Sequence, residues 1–575
     1  MPFRMTPVRA LALSIAALQA PMAFAADAPD AAGAYLAARA ATADNDYQTA
    51  TGYYAQLLQK GIVDRGVAES SMTAQLVLGD FDKAVEIANQ VAATDADAAD
   101  SQPVFLMRLA DAVRNDRFDE ALKLVDSTQN IGPLFTQLYR AWVYVGQGKM
   151  TDAFDAFDQV AKLPGLQGFA EYHKALAMAQ VGDFESADKI LSGEASDAIH
   201  ATRRGVMAHV EVLSNLDRNA DAVALLKSVF GDALDPQLAA LSKRLEDGET
   251  LPFDVATNAQ EGVGELYYSI GAALSGGDVE DAVPLLHARI AQWLNPRNAD
   301  ATLLAASVLD QQEQYDLAIA TYDQIDAASQ LHYAAELGKA ETMMRAGQAD
   351  EAIKTVQAVA EADPELRGVW VSLGDMLRRE ERFGEAAEAY QKALSRIQTP
   401  EPRDWFVYYA AGISDERSDK WDRAEGEFRK ALELNPGQPS VLNYLGYSYV
   451  EKGENLEEAL KMIREAVKNS PDSGYIIDSL GWALFRLGRY DEAVTEMEKA
   501  ATLESVDPLV NDHLGDVYWA VGREREARFQ WKRAIAFGPG EDVDMDRVQR
   551  KLDMGLDAVL KEEGAAPLKA QPAVQ

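Results

Sequence analysis

Apolar residues recur along this chain at spacings of three, four and seven, in short stretches parted by polar turns. Residues 439–469 show the unit. Leu442, Leu445, Gly446 and Tyr449 share one helical face, a polar turn follows, and Ala459, Ile463 and Ala466 form the stripe of a second helix. Pro471 comes next, where a proline cannot continue a helix. The scheme returns with Leu480, Gly481, Leu484, Ala493, Met497 and Ala500, and again with Leu514, Gly515, Tyr518, Ala527, Trp531 and Ala534. An alanine opening the second helix marks each unit: Ala50, Ala84, Ala121, Ala153, Ala187, Ala222, Ala282, Ala318, Ala352, Ala386, Ala424, Ala459, Ala493 and Ala527. Steps between neighbours are 34, 37, 32, 34, 35, 60, 36, 34, 34, 38, 35, 34 and 34 residues. A period near 34 belongs to stacked helix pairs, so the pattern predicts an all-α solenoid of about fourteen pairs, in two halves.

A small residue precedes most of these alanines by twelve positions (thirteen for Ala459): Ala38, Ala141, Ala175, Ala306, Ala340, Gly374, Gly412, Gly446, Gly481 and Gly515. Two small residues facing each other let the helices of a pair approach. Gly374, Ala386, Gly412, Ala424, Gly446, Ala459, Gly481, Ala493, Gly515 and Ala527 are therefore assigned to packing. Met72, Leu109 and Val210 hold the same position farther upstream, which makes the array over 26–234 less regular. The step from Ala222 to Ala282 is 26 residues too long. Gly248, Pro252 and Asn258 punctuate the surplus as loop, and Leu238–Leu245 has the pattern of an added helix. Residues 235–262 read as a junction between the halves, with a partner-binding insertion as the other reading. A second array fills 263–540. Within 541–563, the apolar spacing from Val543 to Leu560 predicts a capping helix, and 564–575 is expected to be disordered.

A small residue at position 8 of the unit, an aromatic at 11, alanine at 20, a large apolar residue at 24, alanine at 27 and proline at 32 resembles the tetratricopeptide repeat. The likeness is clearest over Val369–Pro539 and weaker over Tyr35–Leu226. It implies a right-handed solenoid. The block from Asn443 to Ala493 resembles long exported repeat proteins of Gram-negative bacteria, among them periplasmic adaptors of carboxyl-terminal processing proteases. This chain has no lipobox cysteine, so a lipid anchor is not carried over.

In this repeat class the first helix of each unit lines a concave groove. That places Tyr409, Tyr447, Trp482, Phe485 and Trp519 on an aromatic track, with Asp478, Asp512 and Asp516 beside it. Exposed, these would be hot spots for a peptide or partner helix; packed, they would hold the stack together. The lysine and asparagine set with which some such proteins clamp a terminal carboxylate is replaced here by Tyr409, Ile413, Asn443, Asp478 and Asp512. The groove is expected to take basic or apolar segments of other proteins.

Charge narrows the partners further. With 92 acidic against 55 basic residues the formal charge is −37, a field that repels nucleic acid and anionic lipid. Arg4 and Arg9 precede an apolar run from Ala10 to Ala20, and Ala23-Phe24-Ala25 supplies a cleavage site. This is the pattern of a secretory signal cut after Ala25, which predicts a periplasmic protein without stable membrane insertion.

Candidate chemistry is sparse. There is no cysteine. The six histidines, at 173, 200, 209, 287, 332 and 513, lack metal spacing; His200 and His209 are nine apart rather than four. The glycines of Gly262–Tyr267 make an incomplete dinucleotide fingerprint with no preceding strand. No nucleophile, base and positioning group can be named together, so no catalytic residue, metal or cofactor is assigned. The expected function is a protein-binding scaffold, by resemblance an adaptor for an envelope protease. A structural part of a polysaccharide-export or cell-wall assembly is the alternative.

Overall fold

The computed structural model describes residues 31–568, apart from 63, 95–100, 128–130, 232–233, 276–281, 330, 541–542. The expected signal segment, and the tail beyond residue 568, lie outside the described residues. Thirty-two α-helices and one 3-10 turn, but no strand, occur among the described residues. The all-α solenoid expected from the period is the fold.

Each second helix begins alike. In thirteen of the units the landmark alanine is the fourth residue of its helix and is fully buried, as Ala386 is in Phe383–Leu394 and Ala527 in Glu524–Phe537. Five residues earlier, in twelve units, one residue adopts the left-handed conformation that ends the first helix, from Asn45 to Gly522. The following N–H then donates to a carbonyl five residues back, as Arg382 does to Leu377 (2.9 Å) and Gln314 to Leu309 (2.8 Å). This closing bond satisfies one of the orphan carbonyls at the helix end and fixes the reversal of the chain. The Ala459 unit has one residue more, and both Gly453 and Asn455 turn left-handed there.

Ala282 is the exception, and it corrects the register. It is only half-buried and is the first residue of its helix, Ala282–Leu294. Pro284 is buried instead, and a Cβ on Gly271 would lie 3.3 Å from its carbonyl oxygen. Ala288, Ala291 and Pro296 follow it at the offsets of Ile463, Ala466 and Pro471 from Ala459. Pro284 therefore holds the landmark position, and the two irregular steps become 62 and 34.

The chain divides into two compact units, Met1–Ala335 and Glu336–Gln575. Residues 235–262 thus fall inside the first unit. The reason is that the next helix pair, Ala259–Leu274 and Ala282–Leu294, packs into the array that precedes it. Gly262 lies against Trp142 of helix Pro133–Gly146. The Tyr267 hydroxyl donates to Leu106 O in helix Gln102–Arg114 (2.6 Å), and Tyr172 of helix Gln167–Gln180 donates to Glu265 (2.8 Å). Arg204 of helix Arg203–Asn215 closes on the fully buried Glu265 at 2.7 Å. From the second helix of that pair, Arg289 reaches Val77 O (2.9 Å), while Trp293 stacks on Phe81 and accepts from Arg114. The first helices of the N-terminal array thus surround two helices of their own chain. The Gly262 segment is buried helix, its glycines serving close approach.

In the second unit the pairs run from Ala349–Ala362 onward with regular glycine contacts. A Cβ at Gly374, Gly412, Gly446, Gly481 or Gly515 would meet Tyr390, Phe428, Ile463, Met497 or Trp531 at 2.3–2.7 Å. The expected capping helix is two helices, Met545–Met554 and Leu556–Glu562. They break at Gly555, whose φ of +87° and approach to Trp519 both exclude a side chain. Leu568, in the segment expected to be disordered, packs on the core of this unit.

Candidate functional site

The first helices of the second unit, Arg367–Arg379, Trp405–Glu416, Pro439–Lys452, Gly474–Arg486 and Pro508–Ala520, carry the residues expected to line the groove. Small residues on the opposite face of each helix hold it to its partner and turn the long side chains the other way. Tyr409, Tyr447 and Trp482 keep part of their rings at the surface. Tyr409 packs edge-on against Tyr444, whose hydroxyl donates to Glu416 of the preceding unit (3.3 Å). Trp482 donates its indole N–H to Glu451 (2.6 Å), which also faces Arg486.

The remaining candidates are placed differently. Phe485 is buried, stacked parallel to Trp482 at 4.9 Å. Asp478 is buried against His513 (3.0 Å), whose ring also stacks on Trp482 at 4.0 Å. Burial alone would lower the His513 pKa, but the Asp478 carboxylate outweighs it and the net shift is upward. Asp512 and Asp516 are buried beneath the capping helix, where Lys551, with no exposed surface, lies 2.6 Å from Asp512 and 2.8 Å from Asp516. Asp516 also accepts from Trp531 (2.9 Å). Trp519 is half-covered by the same segment and donates to Asp557 (3.0 Å). So Phe485 and the three aspartates are buried, a correction to their expected place on the groove surface. Burying an aspartate costs several kcal/mol unless it is paired, and each has found its partner within the chain.

Reasoning from the sequence missed the roles of Lys551 and His513. Lys551 sits in a helix, MDRVQRKLDM, that reads as an ordinary charged amphipath; only its register against Asp512 and Asp516 gives it meaning. Sequence reasoning set His200 and His209 aside as a metal pair by their spacing, and did not foresee that they meet. They lie on neighbouring helices, with His200 Nε2 2.9 Å from His209 Nδ1 and His209 Nε2 2.9 Å from Asp188. Both nitrogens of His209 are thereby used in hydrogen bonds. No group of metal-holding residues occurs among the described residues.

Known families match part of the chain. Residues 272–332, 337–402 and 409–474 match a model described as tetratricopeptide repeat, and 477–507 match a second so described. Residues 26–225 match a model of the coatomer epsilon subunit. These matches place tetratricopeptide repeats between residues 272 and 507.

Among individual proteins, TPR repeat-containing protein PA4667 of Pseudomonas aeruginosa is 25% identical over 183 residues, 32% of this chain and 30% of its own. Anaphase-promoting complex subunit 3 of Schizosaccharomyces pombe is 21% identical over 29% of this chain and 24% of its own. The human protein O-mannosyl-transferase TMTC1 is 26% identical over 32% and 20%. The chain thus spans a third or less of each of these relatives. Among solved structures, the Cut9–Hcn1 hetero-tetramer of the anaphase-promoting complex aligns over 92% of this chain and 97% of that one, with 15% identity and a TM-score of 0.35. Yeast Tom70 aligns over 81% and 97%, with 15% identity and a TM-score of 0.32.

Proposed function

We propose that this chain is a non-enzymatic scaffold of the bacterial periplasm that holds a partner protein in the groove of its second unit. The segment it takes is basic or apolar and helical, and it lies along Tyr409, Tyr447 and Trp482. The observation that carries this reading is Lys551. The chain's own helix Met545–Met554 lies at one end of the groove, sets a lysine between two aspartates and leaves Trp519 half-covered. A partner helix of the same chemistry suits the adjoining positions, where Trp482, Glu451 and Glu416 continue the aromatic and acidic pattern. The export pattern at Arg4–Ala25 supports the compartment, and the likeness of Asn443–Ala493 to adaptor proteins supports a role beside an envelope protease.

The test is a pull-down from periplasmic extract with the full chain and with a Tyr447→Ala/Trp482→Ala variant. A stoichiometric partner, a protease or its regulator, is expected with the first and lost with the second. Equal recovery by both proteins, or nothing beyond general chaperones, defeats the reading. N-terminal sequencing of the processed protein checks the compartment independently and should begin at Ala26.

A further inference from the structure

The last helix of the second array turns a cationic stripe outward. Helix Glu524–Phe537 buries Ala527, Trp531 and Ala534, and on the opposite side Arg525, Phe529 and Lys532 are exposed at spacings of four and three. Phe529 keeps 59% of its surface in water. The equivalent helices of the preceding units place no large apolar residue there: the Phe529 position holds Lys354, Glu388, Gly426, Lys461 and Thr495. The Arg525 position holds Asp350, Gly384, Asp422, Glu457 and Asp491, mostly acids at a helix N-terminus, where negative charge is favoured. Arg525 therefore stands against both the repeat and the helix dipole, and nothing in the packing of the unit asks for it.

The charges of the stripe are not engaged within the chain. Among the described residues neither Arg525 nor Lys532 has a hydrogen-bond or ion-pair partner. Glu524 and Glu526 fall to either side of the stripe, and Glu526 is bonded to Arg523 (3.0 Å). The two flanking arginines hold the helix in place instead. Arg528 donates to Leu552 O of the cap and lies over Trp519, while Arg533 donates to Ser505 O (2.5 Å) and lies over Phe537. What remains, in a chain with 92 acids to 55 bases, is an exposed ring with a cation one turn to either side.

We propose that this stripe docks an acidic helix of a partner protein, one that lays an apolar side chain on Phe529 and sets one carboxylate against Arg525 and another against Lys532. The charge selects register as well as sign, because the acidic body of the protein repels such a helix elsewhere. An anionic bilayer is the poorer occupant. It is broad and would bring the acidic neighbouring units against its own charge, whereas a helix about 10 Å across meets the stripe alone. The surface lies on the second helix of its pair, apart from the groove of Tyr447 and Trp482 on the first helices, and its ligand is opposite in sign to the one proposed there.

The experiment is fluorescence anisotropy on the full chain. The probe is a fluorescein-labelled, alanine-rich helical peptide with Glu one turn to either side of a Leu, compared with the peptide carrying Gln in place of each Glu. The acidic peptide should bind about fivefold tighter, the yield of two exposed ion pairs, and the preference should shrink as salt is raised. Phe529→Ala should weaken both peptides about tenfold. Arg525→Glu/Lys532→Glu should reverse the preference, so that a peptide with Lys in place of each Glu binds best. These side chains are exposed, so circular dichroism melts should stay unchanged. Trp482→Ala should leave binding intact. Absence of binding, equal binding of the Glu and Gln peptides, or indifference to Phe529→Ala overturns the proposal. Sedimentation of the full chain with phosphatidylglycerol vesicles, lost in the charge-reversal variant, overturns it in favour of a membrane surface. Loss of peptide binding in Trp482→Ala overturns it in favour of the groove.

Discussion

Gly262 presses on the indole of Trp142 so closely that a Cβ there would lie 2.2 Å from Trp142 Cε3. Trp142 is itself fully buried, bonded through its Nε1 to His173 Nδ1 (3.1 Å) and edge-on to Phe157. It has nowhere to move.

Gly262→Ala should therefore lower the stability of the first unit by about 1–3 kcal/mol, the usual cost of overpacking. Differential scanning calorimetry would register this as an earlier transition. Gly52→Ala, in helix Tyr47–Gln59 of the same unit, is the internal control. A Cβ there meets nothing within 4 Å, so the change should stabilise by roughly 1 kcal/mol through helix propensity alone.

Lys551→Ala leaves Asp512 and Asp516 buried without their cation. The expected loss is about 3–5 kcal/mol, seen in urea unfolding followed by the fluorescence of Trp519 and Trp531. The triple variant Lys551→Met/Asp512→Asn/Asp516→Asn removes all three charges together and should recover most of it. Equal destabilisation by the two variants would show that the ion pairs themselves hold the cap.

Glu427 is buried next to Asp415, which Arg423 grips through two nitrogens. Burial, with the Asp415 charge behind it, pushes the Glu427 carboxyl up to about 8. The folded state therefore favours the protonated acid. Its contribution is fully present below the ordinary carboxyl range and is lost as pH rises toward 8. Glu427→Gln mimics the protonated form, so it should raise the melting temperature at pH 8.5 and change little at pH 5. A larger benefit at pH 5 would refute the assignment.

Left-handed residues offer a fourth test. Glu313 adopts φ +60° with a side chain that pays for it, whereas Gly488 holds the equivalent position freely. Glu313→Gly should stabilise its unit by about 1 kcal/mol, and Gly488→Ala should destabilise by a similar amount because the added carbon meets a left-handed backbone. Chemical denaturation midpoints with unchanged slopes would confirm both.

What the sequence could disclose follows from what a period encodes. Ala386 and Ala527 are buried at a fixed place in their helices, the fourth residue, so local spacing is enough to find them. The shift from Ala282 to Pro284 escaped because a buried proline breaks the composition of the pattern while keeping its geometry. Tyr267 and Leu106, or Lys551 and Asp516, stand 161 and 35 positions apart, and no periodicity relates them. One hint was available. Helix Ala259–Leu274 is apolar on more than one face, and its three glycines, Gly262, Gly264 and Gly271, mark sides that neighbours approach closely. The aromatic track was legible as a set of rings but not as a set of surfaces. Trp482 and Phe485 occupy similar positions by count, yet only Trp482 reaches the open side.

The filled interior of the first unit also bears on how the protein is made. The helices bearing Phe135, Trp142 and Tyr172 leave the ribosome well before Ala259–Leu274 and Trp293 exist to cover them. At 5–20 residues per second the wait is on the order of ten seconds. For that interval the nascent chain displays an apolar trough with no native occupant. The helix that later completes the unit thus sets a deadline: whatever holds the unfinished trough must release it when residue 294 emerges.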